Sequence, residues 1–195
     1  QAHDTAKPNE ERILDDEVVK LDLGVEINGF IGDSAVTIDL SGKHGKLVEA
    51  SEKALENALK FIKAGVKIGE IGKIIEDTIK SFGFNPVKNL SGHSLEKYNL
   101  HSGISIPNYD SGDSRMLEEG MVFAVEPFAT TGVGMIEEKG LPQIFSLMKN
   151  ANVRVGRDVL DEMKKHNFLP FSKMQIARKG ISESKINMIL RLLDN

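Results

Sequence analysis

The Asn28-Gly29 pair, flanked on both sides by alternating apolar residues, constrains the fold of this chain most strongly. Segments 18–27 and 30–38 are both rich in β-branched residues. Asn and Gly tolerate the positive φ angles that a two-residue turn requires, so the pattern predicts a β-hairpin. The turn also sets the register, because the residues that flank it must pair with each other.

The predicted register brings two carboxylates to one face of the hairpin. Asp22 pairs with Ala35, and Gly24 pairs with Asp33. Side chains alternate along a strand, so Asp22 and Asp33 become diagonal neighbours, about 7–8 Å apart at the backbone. Two carboxylates at that separation can hold divalent cations between them. The alternative is a solvent-exposed face with two solvated acids.

The opposite face of the hairpin is apolar, and we expect it to belong to the core. Its members are Val19, Leu21, Val25, Val36 and Ile38.

Composition limits the class of protein. A length of 195 residues suits one domain with at most a small appendage, and 40% apolar residues can build a core. The net charge of −4 predicts no broad surface for nucleic acid or acidic membranes. The absence of cysteine excludes disulfides and thiolate ligands and is compatible with the cytoplasm. No apolar run reaches the ~20 residues of a membrane span.

Periodicity predicts the other elements of the first 150 residues. Apolar residues recur at helical spacing over 47–62 and 68–82, and glycines follow both stretches. Each amphipathic helix should cover one face of a sheet. Residues 122–130 have the pattern of a buried strand, and 143–148 of another.

The pattern changes near residue 150. Three short helices are predicted at 159–165, 173–178 and 182–193. They form either an inserted subdomain or a helix-turn-helix module. The segment 173–191 carries a basic helical face, of a kind that is usually only solvated.

A third carboxylate and two histidines add to the candidate metal site. Glu126 lies inside an apolar segment beside Pro127, where an unpaired carboxylate would be costly. His93 and His101 follow turn-rich segments. Two aspartates, one histidine and Glu126 together make an oxygen-rich set with one nitrogen donor, which suits a pair of Mn, Co, Fe or Zn ions better than a structural zinc site. A structural salt bridge at Glu126 and histidines that only shape turns are the alternatives.

Four segments together resemble the type 2 methionine aminopeptidases with the short N-terminus of archaeal members. These are the hairpin motif at 22–37 and the blocks at 89–93, 101–107 and 125–130. The segment 153–195 is similar to the helical insertion of the type 2 class.

The resemblance implies an α+β pita-bread fold, with a curved, mainly antiparallel sheet and outer helices. It divides the chain into an incomplete catalytic core, 1–150, and a helical insertion subdomain, 151–195. The family has a further strand with a second bridging glutamate, and the sequence ends at Asn195, before that strand. We therefore expect a chain that is truncated at both ends, whose activity depends on the missing glutamate. Glu162 and Glu183 do not fit that motif.

The resemblance also assigns roles to single residues. Asp22 would chelate one metal ion and Asp33 would bridge two. His93 and Glu126 would bind the second ion. His101 and His3 would stabilise the tetrahedral intermediate.

The implied activity is removal of the N-terminal methionine from nascent polypeptides in the cytoplasm, in proximity to the ribosome, by a hydroxide that bridges two divalent ions. The expected partner is the polypeptide, with neither membrane nor nucleic acid. A catalytically impaired relative or fragment that binds RNA or protein is the alternative. A prolidase-like dipeptidase rests on fold analogy alone.

Overall fold

The structure, a computed structural model, describes residues 13–148 and 152–193, together with 5, 7, 8, 10 and 11. The chain divides into two compact units. One comprises residues 14–138, and the other comprises 1–13 with 139–195. Each is described by itself below.

The unit 14–138 begins with the predicted hairpin, formed by β1 (Val18–Ile27) and β2 (Phe30–Asp39). The strands pair antiparallel, with Ile27 opposite Phe30 and Gly24 opposite Asp33. Both turn residues have positive φ, 54° at Asn28 and 90° at Gly29. The predicted turn and register are therefore confirmed.

The prediction that the second face of the hairpin belongs to the core is wrong. Val19 is half-buried, but the other four predicted core residues are 48–59% exposed: Leu21, Val25, Val36 and Ile38. Alternation shows which side chains share a face, but it does not show whether another element covers that face. No buried residue of either core cluster in the described chain comes from β1 or β2.

Two amphipathic helices follow as predicted, α1 (Gly45–Phe61) and α2 (Ile68–Ser81). The loop after α1 contains Gly65 (φ 86°) and the turn after α2 contains Gly83 (φ 82°). Their apolar faces form the core of this unit with residues from later loops and strands. The buried members are Ala54, Ala58, Val66, Ile68, Ile71, Ile75, Ile79, Ile106 and Leu117.

Five short strands complete the unit: β3 (Asn85–Pro86), β4 (Ser91–Ser94), β5 (Ser105–Pro107), β6 (Phe123–Ala124) and β7 (Ala129–Thr130). Strand β4 lies between β5 and β6, and β3 pairs with β7. All these pairs are antiparallel.

The prediction of one buried strand over 122–130 is wrong. The segment pairs only at its two ends, as β6 and β7, and both are half-buried. Pro127 has no amide to donate to a sheet, so the ladder is interrupted beside it. This irregular stretch contains Glu126.

The second unit is mainly helical. Strand β8 (Ile144–Phe145) precedes α3 (Arg157–Lys164), and β9 (Phe171–Ser172) leads into α4 (Lys173–Ala177) and α5 (Glu183–Leu193). The three predicted helices are confirmed. They share a core of Leu147, Val153, Val159, Leu160, Met163, Phe171, Ile176, Ile186 and Ile189. The domain boundary at residue 150 stays a prediction.

Among the described residues, no helix combines the length and the apolar composition that crossing a membrane requires.

We expect Ile75→Ala to lower the free energy of unfolding by about 2–5 kcal/mol, because Ile75 is fully buried and its loss leaves a cavity. Ile27→Ala is the matched control, since Ile27 is 68% exposed on the hairpin, and it should change stability by less than about 0.5 kcal/mol. Urea unfolding measures both variants. Equal losses would show that the apolar hairpin face is covered in solution.

Candidate metal centre

Three predicted donors from separate parts of the chain meet in one place. Asp33, His93 and Glu126 each offer one ligand atom, and these three atoms lie within 4.8 Å of one another. Nε2 of His93 is 3.1 Å from Oε1 of Glu126 and 3.4 Å from Oδ2 of Asp33. The imidazole nitrogen therefore faces both carboxylates.

Strand pairing explains how these donors converge. Asp33 is placed by the register of the hairpin, opposite Gly24. His93 lies in β4, where it pairs with Ala124 of β6, two residues before Glu126. Strand β4 and the irregular stretch after β6 thus carry the imidazole and the second carboxylate side by side.

Gly92 allows the close approach of these two strands. A Cβ atom at this buried position would lie 2.2 Å from the carbonyl oxygen of Ala124 and 3.1 Å from Cα of Val125. No side chain fits there unless the strands separate. A glycine inside a strand pattern signals such an approach, but the sequence alone does not identify its partner.

The carboxylates lie in an environment that disfavours their charged forms. Burial, together with the charges of Asp33 and Asp22, raises the pKa of Glu126 to about 7. Burial also raises the pKa of Asp33, against the opposing effect of His93. Such shifts are expected where acids share a partly buried space without a compensating charge.

The donors fit a divalent metal ion. Two carboxylate oxygens and one imidazole nitrogen converge, and their mutual repulsion and desolvation would be relieved by a cation between them. Nδ1 of His93 is buried and has no hydrogen-bond partner among the described residues. Oxygen with imidazole nitrogen is a donor set that suits Mn, Fe, Co or Zn.

Asp22 is close enough to act on this cluster but is not one of its three members. It lies on the same face of the hairpin as Asp33, opposite Ala35. Its charge contributes to the raised pKa values of Asp33 and Glu126. Its predicted role as a metal ligand stays a prediction.

His101 lies beside the cluster. Its ring is 4.3 Å from that of His93, between centroids, in an edge-on arrangement. Burial and the neighbouring His93 lower the pKa of His101. The imidazole is therefore favoured in its neutral form, which can donate one hydrogen bond. His3, the other predicted catalytic histidine, lies outside the described residues.

The two later glutamates have other surroundings. Glu162 belongs to α3 and forms an ion pair with Lys165. Glu183 is the first residue of α5.

Comparison with known proteins identifies the family. The family model of metallopeptidase family M24 matches residues 2–160. A methionine aminopeptidase from Archaeoglobus fulgidus is 48% identical over 181 residues, which cover 91% of this chain and 62% of the relative. One from Thermococcus onnurineus is 44% identical, over 99% of this chain and 67% of the relative. The archaeal source of both relatives fits the predicted type 2 class.

The fold comparison agrees. The crystal structure of a methionine aminopeptidase from Thermotoga maritima matches with a TM-score of 0.60 at 32% identity, over 64% of this chain and 51% of that one. The predicted α+β pita-bread fold is confirmed, although the described strands form four small antiparallel sheets. The chain spans about two thirds of the length of the curated relatives it matches. The predicted resemblance is therefore confirmed, and the chain belongs to metallopeptidase family M24.

Proposed function

We propose that this protein is a metallo-aminopeptidase that removes the N-terminal methionine from polypeptides. The convergence of Asp33, His93 and Glu126 carries the proposal, because it gives a divalent metal a set of donors. Relatives that are 41–44% identical over 98–99% of the chain are methionine aminopeptidases by name. The alternative of an impaired, purely binding relative is not favoured, because these three donors are present together.

We further propose a site for two ions, drawn from Co, Mn, Fe or Zn. Asp22 and Asp33 share one face of the hairpin, and Nε2 of His93 lies 3.4 Å from Oδ2 of Asp33. Asp33 would then serve both ions, Asp22 would hold one of them, and His93 with Glu126 would hold the other. Bound divalent ions would polarise the scissile carbonyl, lower the pKa of an attacking water and anchor the free amine of the substrate.

His101 is proposed to contact the substrate rather than the metal. Its ring stands beside His93, and its lowered pKa favours a neutral imidazole with an N–H to donate. A donor next to the scissile carbonyl stabilises charge that develops mainly in the transition state. We assign the same role to His3. The proposed substrates are nascent chains in the cytoplasm, close to the ribosome.

Asp33→Ala should abolish metal binding at both proposed positions, because both depend on this carboxylate. Isothermal titration with Mn²⁺ or Co²⁺ measures the stoichiometry. Asp77→Ala is the control, since Asp77 pairs with Lys73 on the exposed surface of α2. An Asp33→Ala chain that binds as many ions as the wild type would contradict the proposed bridge.

The metal-free chain should lose stability as the pH rises through about 7. The pKa of Glu126 in the folded chain, about 7, lies above its ordinary value of 4.5, so folding favours the protonated form. That contribution is complete below pH 4.5 and disappears as the pH passes the folded pKa. Urea unfolding in a chelator, from pH 4 to 8, measures the change, and Glu126→Gln should reduce it.

Metal should reverse this trend, because a ligating carboxylate must be deprotonated. Affinity for Mn²⁺ should therefore increase between pH 6 and 8, with release of protons. The account of Glu126 would be wrong if affinity and proton release were the same in the Glu126→Gln variant.

His101→Ala should leave metal affinity unchanged and lower turnover of a Met-Ala-Ser peptide by about 10²–10³-fold, the effect of losing one transition-state donor. Turnover is measured on the complete gene product. His44→Ala, at an exposed position before α1, is the control. Wild-type turnover in the His101→Ala variant would remove this residue from the mechanism.

A further inference from the structure

A contact between two turns joins the hairpin to the loop that lies between His93 and His101. The amide of Tyr98 donates a 2.9 Å hydrogen bond to the carbonyl oxygen of Gly29. Gly29 is buried, and a Cβ atom there would lie 2.4 Å from Cγ of Lys97 and 2.6 Å from the Tyr98 ring. The turn of the hairpin therefore rests directly on the turn 96–99.

The turn 96–99 has a rarely populated backbone conformation. Glu96 and Asn99 exchange two backbone hydrogen bonds of 2.9 Å. Between them, Tyr98 has a φ of 59°, which is rare for an aromatic residue and is kept only where surrounding contacts require it. The ammonium group of Lys97 lies 5.5 Å from the Phe30 ring and 5.8 Å from the Tyr98 ring, within the range of cation–π attraction.

The two ends of the same loop lie next to the histidines of the candidate site. Ser94 and Ser102 join its two ends, through a 3.0 Å backbone hydrogen bond and a 2.7 Å bond between their hydroxyls. These serines directly follow His93 and His101, whose rings touch. The loop therefore links the turn 96–99 to both imidazoles.

On the hairpin side of this contact, strand β2 runs from the turn to Asp33. This residue follows Gly29 by four positions along β2, a distance of about 13 Å at ~3.3 Å per residue. Strand β2 is paired with β1 over its whole length, so an unbroken ladder joins the turn to Asp33. A displacement at the turn should change the position of Asp33 relative to His93.

We propose that Gly29 is a positioning residue. It lets the hairpin turn pack against the turn 96–99, and this contact fixes the position of Asp33 relative to His93. The contact thereby sets the affinity of the site for metal. Neither Gly29 nor the residues it contacts supply a metal donor. The inference rests on the proposed function, because it takes Asp33 and His93 as ligands.

The test is the Gly29→Ala variant of the 195-residue chain. It should bind Mn²⁺ about 10–100-fold more weakly in a calorimetric titration, the usual loss when a residue that orients a ligand is changed. The absorption spectrum of bound Co²⁺ should change as well, since it reports the coordination geometry.

Gly83→Ala is the matched control. Gly83 has a φ of 82°, close to the 90° of Gly29, but nothing lies within 4 Å of a Cβ atom placed there. The two variants therefore carry similar backbone strain, which urea unfolding compares directly. Only Gly29→Ala should alter metal affinity and the Co²⁺ spectrum.

Two further variants keep the test decisive. Adding Lys97→Ala to Gly29→Ala removes Cγ of Lys97 and should restore part of the affinity, a recovery that general damage cannot produce. Lys97→Ala alone strains no backbone and should weaken binding relative to Lys63→Ala, an exposed control, even if Gly29→Ala fails to fold.

Wild-type affinity and spectrum in folded Gly29→Ala, or in Lys97→Ala, would overturn the inference while leaving the proposed function intact. If the wild-type chain itself bound neither Mn²⁺ nor Co²⁺, the proposed function would fail instead.

Discussion

The burial of two carboxylates beside one imidazole is the constraint on which the candidate site depends. Asp33 and Glu126 both face Nε2 of His93, at 3.4 and 3.1 Å. Burial, and after it the charge of the nearby Asp22, raises the pKa of both carboxyl groups. Bringing such groups together costs free energy, and a divalent cation between them would offset that cost.

Backbone contacts that only glycine permits hold these donors in place. Gly92 lets β4 approach the backbone of Ala124, which brings His93 beside Glu126. Gly29 lets the hairpin turn approach the loop between His93 and His101. Side chains supply the candidate metal donors, whereas Gly92 and Gly29 allow the close backbone contacts that position them.

The sequence was most informative where local rules decide the structure. The Asn28-Gly29 turn fixes the hairpin register by its own backbone requirements, so the shared face of Asp22 and Asp33 could be derived residue by residue. Helical spacing likewise predicted α1 and α2, since apolar periodicity reports which side of a helix is buried. His93 and Glu126 could be named as candidate donors from their residue types and surroundings, but no local pattern predicts that they lie next to each other.

The incorrect predictions concerned contacts with distant segments. The strand expected over 122–130 is interrupted near Pro127, and apolar composition there overstated both its length and its burial. The apolar face of the hairpin has the alternation of a core strand, yet Leu21 and Val25 are more than half exposed. Whether an apolar face is covered depends on other elements, which its own sequence does not specify.

Diffraction from crystals of the chain soaked in Mn²⁺, with anomalous difference maps, tests the central claim most directly. The account predicts an anomalous peak within coordination distance of Nε2 of His93 and of one oxygen each of Asp33 and Glu126. Well-ordered side chains at these three residues without a peak between them, or peaks only elsewhere on the surface, would contradict it.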